Sequence, residues 1–136
     1  MEELFRDARM NNYAVPAVNV VGTNSINATL ETAALVNSPI VIQFSYTGSH
    51  FIAGNSLPNN EGQASTLGSM IGALHVHQAA KHYGVSVILH TDHASKYLLP
   101  WIDQLITEGK SFNEKNGIPL FSSHMLDLSE EPLSEN

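Results

Sequence analysis

Apolar and polar positions alternate along this chain in a repeating order, a short β-branched apolar run followed by a longer stretch with helical spacing. The first run is Ala14 to Val21. Asn24-Ser25 then signals a helix start, and Ile26, Leu30, Ala33 and Ala34 carry the stripe to Val36 before Asn37-Ser38-Pro39 breaks it. Ile40 to Tyr46 is the second run, nearly continuously apolar, as expected of a strand covered on both faces. From Thr47 to about Ser65 the chain is rich in Gly, Asn and Ser, with Pro58 and a short apolar patch at Phe51-Ile52-Ala53. A connection of that length predicts a functional loop.

Leu67, Met70, Ile71 and Leu74 predict the apolar stripe of a second helix, with Gly84 as its C-terminal cap. Val85 to His90 is the third strand. Leu98, Leu99, Ile102, Leu105 and Ile106 give the cleanest helical spacing, with Pro100 tolerated in the first turn and a continuation toward Asn116-Gly117. Leu120 to Leu126 is the fourth strand, and Ser129-Glu130-Glu131-Pro132 opens a fourth helix. That helix would have no body before Asn136, whereas isolated helices below about 12 residues are marginal. The expectation is one α/β block, residues 1–136, of about four βα units with parallel strands, truncated after the fourth strand.

Composition narrows the chemistry. Of 136 residues, 43% are hydrophobic and 14% charged, which suits a folded domain. A net charge of −7 provides no basic footprint for nucleic acid or an anionic membrane. With no cysteine, a transition metal would have to be held by carboxylates and the seven histidines. MEELFRDARMNN is helical in character and does not resemble a leader, and no apolar run approaches the roughly 20 residues of a membrane span. A cytoplasmic chain is the expectation.

Each strand leaves polar residues near its carboxyl end: Asn19 after the first, Gln43 and Ser45 on the second, His90, Asp92 and His93 on the third, Asp127 on the fourth. Parallel α/β folds build sites at that edge. Alternation puts Gln43 with Ser45 and His90 with Asp92 on shared faces, and places His93 where the strand breaks into a loop. Such a rim suits a polyhydroxy or phosphorylated substrate and a hard or borderline cation. Plainer readings stand beside this one: Asn19 as a turn cap, Ser45 as a strand terminator, Asp127 as a helix-start residue, His90 as a hydrogen-bonded interior histidine. His75 and His77, two apart on a helix, point roughly 200° from each other and cannot chelate one ion. His50 and His82 read as exposed or loop histidines. The lysines, at 81, 96, 110 and 115, fall on helices or loops, so no desolvated Schiff-base lysine is visible at a strand end.

Three stretches, NYAVPAVNVVGTNSINATLETA, VILHTDHASKYLLPWID and GIPLFSSHMLDLSEE, resemble class II fructose-bisphosphate aldolases. With SPIVIQFSYTGSHFIAG the likeness covers nearly the whole chain, and the SSHMLDLSEE form looks like the subgroup acting on fructose 1,6-bisphosphate. The resemblance implies the amino-terminal half of a (β/α)8 TIM barrel. It also implies reversible cleavage of that sugar bisphosphate to dihydroxyacetone phosphate and glyceraldehyde 3-phosphate, in glycolysis and gluconeogenesis. In that family zinc stabilises an enediolate, and the whole enzyme tends to be a homodimer. By the family pattern Asp92 is the acid/base, His93 a zinc ligand, and Asp127 a carboxylate at a second or alternative divalent position. Ser45 contacts the glyceraldehyde 3-phosphate portion and Asn19 the substrate close by, with His90 and Gln43 in support.

Two departures from the family pattern stand out. Ala94-Ser95-Lys96-Tyr97 replaces the family's common Cys-Ala-Lys-Lys, at positions assigned no chemistry. The carboxyl half, which in the family supplies a Glu, two His and most phosphate loops, is absent from this sequence. One His cannot complete a catalytic zinc site, since such sites use three protein ligands. Two other readings remain: a non-catalytic half-barrel that associates with another chain, its sheet edges open, and a tagatose-bisphosphate aldolase.

Overall fold

A computed structural model describes residues 1–135. Its centre is one four-stranded parallel sheet in which spatial order follows chain order. The strands are β1 (Ala17–Asn19), β2 (Ile40–Ser45), β3 (Val87–Ser95) and β4 (Ser123–Asp127). The helices are α1 (Glu2–Met10), α2 (Thr23–Leu35), α3 (Tyr46–Ala53), α4 (Gln63–Tyr83) and α5 (Leu99–Asn116). Strands added one beside the next, with helices between them, are the arrangement expected from the alternation of apolar runs.

Strand β2 shows how the sheet is built. Ile40, Ile42 and Phe44 are buried, and Val41, Gln43 and Ser45 half-buried, so the apolar set faces the helices and the other set faces the concave side. Phe44, fully buried, meets Phe121 edge-on at 5.9 Å between ring centroids. Burying a side chain of that size contributes about 1.5–3 kcal/mol. Ile26, Leu30 and Ala33, at i, i+4 and i+7, are the buried stripe of α2, as their spacing predicts. Gly84 and Gly117 end α4 and α5 in left-handed geometry, at φ +68° and +70°. Only glycine adopts that region without steric cost.

Four expectations need correction. Thr47 to Ser65 is not a continuous loop, because α3 occupies its first part. The face of α4 is also reversed. Of the predicted stripe, Met70 is half-buried against the core while Leu67, Ile71 and Leu74 are exposed, and the buried stripe is Ser65, Gly68, Ser69, Gly72, Ala73 and Val76. Small residues are required there because α4 lies too close to its neighbours for larger ones. A Cβ on Gly68 would overlap the Ser49 carbonyl, and one on Gly72 would overlap the Phe44 ring. On α5, Trp101 joins Ile102 and Leu105 in the core, while Ile106 is exposed. Strand β3 runs to Ser95, five residues beyond the predicted end at His90.

Smaller differences concern ends. The ladder of β1 is confined to three residues and that of β4 begins at Ser123, although Leu120 and Phe121 ahead of it are buried. After β4, Glu131 N–H closes a turn on the Leu128 carbonyl, and a single 3-10 turn follows at Leu133–Glu135. The end of the expected fourth helix, Asn136, lies outside the described residues.

Candidate active site at the carboxyl rim of the sheet

The sheet register sets the rim. Asn19 lies beside Gln43, Gln43 beside His90 and His90 beside Ser123, while one step further along the strands Ser45 lies beside Asp92. Alternation turns all of these toward the concave side. Asp92 sits at the centre and both its oxygens accept hydrogen bonds. Asn19 Nδ2 donates to Oδ2 at 2.7 Å, and Gln43 Nε2 donates to Oδ1 at 3.2 Å. Two amides reaching one carboxylate from two neighbouring strands fix its orientation and leave it able to face a ligand. Asn19 therefore spends its amide across the sheet, on Asp92, rather than on a local turn.

A regular strand would send Asp92 and His93 to opposite faces. Here the pairing of β3 with β4 shifts between Thr91 and Ala94, so Asp92 and His93 together stand opposite Met125. This is a β-bulge, and His93 takes φ +42°, a left-handed value unusual for a residue with a Cβ. The bulge brings the two side chains to one side, with His93 Nε2 3.8 Å from Asp92 Oδ1. His93 was expected where the strand ends; the strand instead kinks there and continues.

Asp127, the last residue of β4, holds the imidazole from the other side. His93 Nδ1 lies 2.8 Å from Asp127 Oδ2, while Asp127 Oδ1 accepts the Ser129 N–H at 3.0 Å. The Ser129 hydroxyl first, then His93 and the Ser129 N–H, bring the Asp127 carboxyl down to about 2. The hydrogen bond that His93 donates to Asp127, then the charge of Asp92, raises His93 above its ordinary value. With Nδ1 engaged by Asp127, Nε2 is the nitrogen left for another partner. The His93 side chain is 62% exposed.

The remaining candidates divide clearly. Ser45 ends β2 and caps α3, its Oγ accepting the Gly48 N–H at 3.1 Å. His90 shares a 2.8 Å hydrogen bond with Ser123 Oγ, a partner that the sequence did not single out, since serine is ordinary in such positions. His75 and His77 point to different neighbours, Asn27 Oδ1 and the Leu120 carbonyl, in agreement with their spacing. His50 meets the Leu57 carbonyl. Lys96 follows β3 directly, but its side chain is 51% exposed and its ammonium pairs with Glu131 at 3.1 Å, unlike a desolvated imine-forming lysine. Among the described residues no three His, Asp or Glu side chains converge as a metal-holding group. A separate cavity of about 660 Å³ opens at the amino ends of β2 and β3, between Asp7, Tyr13, Asn37 and Tyr83, and belongs to the floor of the sheet.

Comparison with known proteins identifies the family and the fold. The family described as fructose-bisphosphate aldolase class-II matches residues 1–136. The chain is 57% identical over 137 aligned positions to the fructose-bisphosphate aldolase class 2 of Escherichia coli K12, covering all of this chain and 38% of that protein. It is 56% identical over 136 positions to the fructose-bisphosphate aldolase of Campylobacter jejuni, again covering all of this chain and 37% of that protein. The 1.85 Å crystal structure of fructose-bisphosphate aldolase from Campylobacter jejuni superimposes with a TM-score of 0.93, over 99% of this chain and 38% of that one. The chain thus spans rather more than a third of the length of these relatives, at their amino-terminal end, and its four strands match the first half of their TIM barrel. With a rim of this build and a match along its whole length, the chain belongs to the class II fructose-bisphosphate aldolase family.

Proposed function

We propose that this chain forms the amino-terminal part, residues 1–136, of the barrel domain of an enzyme that reversibly cleaves fructose 1,6-bisphosphate to dihydroxyacetone phosphate and glyceraldehyde 3-phosphate. The observation that carries the reading is the Asp92 carboxylate, held by the Asn19 and Gln43 amides beside the free nitrogen of His93. A carboxylate so fixed suits a general base, which must lie within hydrogen-bond reach of the proton it removes. Asp92 takes the proton of the C4 hydroxyl, the C3–C4 bond breaks as C4 becomes the aldehyde, and the electron pair passes toward the C2 oxygen. In the synthetic direction the same carboxyl returns the proton. Ser45 and Asn19 bind substrate, Ser45 at the glyceraldehyde 3-phosphate portion, while Gln43 and His90 support the acid/base and its neighbours.

The donor set fits a borderline divalent ion in part. One exposed imidazole, oriented through Nδ1 by a carboxylate, is the support that metal-ligating histidines usually have. When bound, zinc supplies a Lewis acid for the negative charge that develops on the substrate oxygen. His93 would hold it, with further ligands from beyond these residues, and Asp127 is the carboxylate for a second or alternative divalent ion. Homodimerisation and a cytoplasmic place in glycolysis are part of the same proposal. No described helix is long and apolar enough to cross a membrane.

Assay of the protein expressed from its complete reading frame, with fructose and tagatose bisphosphates compared, tests this reading. Cleavage of the fructose substrate is expected to dominate. Preference for tagatose bisphosphate, or no cleavage of either, would overturn it.

A further inference from the structure

We propose that Gly68 and Ser69 of α4 are positioning residues for the Ser45 end of the site. Their contact with Ser49 fixes where α3 begins, and therefore where Ser45 and the Gly48 amide sit. The inference rests on the reading of Ser45 as the contact to the glyceraldehyde 3-phosphate portion.

No slack separates the rim from the helix. Ser45 is both the last residue of β2 and the cap of α3, and its Oγ accepts the Gly48 N–H at 3.1 Å. Gly48 is itself confined, since a Cβ there would stand 2.9 Å from Ser45 Oγ and 3.3 Å from Val21 Cγ1. A shift of α3 must therefore move the Ser45 hydroxyl or break its cap.

Two features of α4 hold α3 in place. Gly68 lets the Ser49 carbonyl approach so closely that a Cβ at that position would overlap it, with Ala53 N at 3.0 Å on the next turn. Ser69 Oγ donates to the Ser65 carbonyl at 2.8 Å and lies 2.8 Å from Ser49 Oγ. Ser49 and Ser69 are both at 0% exposure, so no water substitutes for either partner. Asn59 completes the seat, donating Nδ2 to Ser65 Oγ at 2.8 Å and accepting the Ser65 N–H at 3.0 Å. An apolar contact would allow the helices to slide. This one sets both separation and rotation, because a hydrogen bond between buried hydroxyls is satisfied in a narrow range of positions.

The test uses the protein from its complete reading frame, with Gly68→Ala, Ser69→Ala and, as a control on α5, Gly109→Ala, whose Cβ would meet nothing closer than Leu120 Cβ at 4.0 Å. Steady-state kinetics with fructose 1,6-bisphosphate are combined with hydrogen exchange at the Gly48 amide. Gly68→Ala is expected to lower kcat/KM about 100-fold, mostly through KM, as displacement of a binding group does. Ser69→Ala is expected to raise KM about tenfold, with kcat within about twofold, which corresponds to one lost hydrogen bond. Both should speed exchange at Gly48, and Gly109→Ala should change neither. If Gly68→Ala does not fold, Ser69→Ala decides. A Ser69→Ala protein that melts earlier but keeps KM and Gly48 exchange would assign these residues a structural role alone and overturn the proposal. If the unmodified protein does not cleave the sugar, the reading of the site fails, while Gly48 exchange still decides whether α4 controls the cap.

Discussion

Asn19 and Asp92 are 73 residues apart in sequence, yet the Asn19 amide donates to the Asp92 carboxylate at 2.7 Å from the edge strand β1 to β3, across β2. This long-range hydrogen bond ties Asp92, the proposed acid/base, to the first strand. Asn19→Ala should leave the sheet intact and free one oxygen of Asp92. A loss of about 10- to 100-fold in kcat is expected, as small misplacement of a reacting group produces. Circular dichroism should be unchanged. A kcat equal to that of the parent would show that Gln43 alone positions Asp92.

Asp127 and His93 form the other half of this arrangement, and each shifts the titration of the other. Asp127, brought down to about 2, adds stability above its ordinary 3.8 that is lost as pH falls through its folded value. His93, raised above 6.5, adds stability below 6.5 that is lost as pH rises through its folded value. The pair is therefore fully effective between about pH 4 and 6.5. In metal-free protein, Asp127→Asn should move the His93 midpoint down toward 6.5, read from the imidazole resonances. An unmoved midpoint would mean that the hydrogen bond does not form in solution.

His124 has the opposite sign. Burial, with a smaller contribution from the nearby His90, lowers it below 6.5, and its Nδ1 is 2.9 Å from Thr91 Oγ1. The unfolded chain then takes up a proton before the folded one does, so stability falls as pH drops through 6.5 toward the folded value and levels off below it. His124→Gln should flatten that fall in the urea midpoint between pH 7 and pH 5. The opposing slope of His93 is common to both proteins and cancels in the difference. Equal slopes would contradict the assignment.

Two glycines within helices should respond in opposite directions. Gly72→Ala forces a methyl into the Phe44 ring and should cost about 1–3 kcal/mol, as overpacking of a filled core does. Gly109→Ala meets only Leu120 Cβ, at an ordinary contact distance of 4.0 Å, and should stabilise α5 by about 0.5–1 kcal/mol. Thermal or urea unfolding of the two variants measures both. A stabilising Gly72→Ala would mean that α4 lies further from the sheet than described.

The contrast between α2 and α4 shows what hydrophobic pattern can and cannot convey. Ile26, Leu30 and Ala33 announce the buried face of α2 because the space against the sheet is wide enough for large side chains. On α4 the approach of α3 and Phe44 leaves room for small residues at Ser65, Gly68, Ser69 and Gly72, so Leu67, Ile71 and Leu74 turn outward, with only Met70 of the predicted stripe against the core. The bulge at His93 was equally illegible, since Ala94 and Ser95 carry no strand signal and a histidine does not announce a left-handed φ as a glycine would. Candidate residues were easier to read than their partners. Asn19, Asp92, His93 and Asp127 gather at one rim because parallel strands end together, whereas Ser123 and Ser129 show their roles only through contact.

The most direct test compares the rate of fructose 1,6-bisphosphate cleavage by the protein from its complete reading frame with that of Asp92→Asn, a change that keeps size and removes the base. The expected result is a drop of about 10²- to 10⁴-fold in kcat, the contribution of a positioned general base, with an unchanged unfolding midpoint. An Asp92→Asn protein that cleaves the sugar at the parent rate would contradict the assignment of Asp92 as the proton-transferring group.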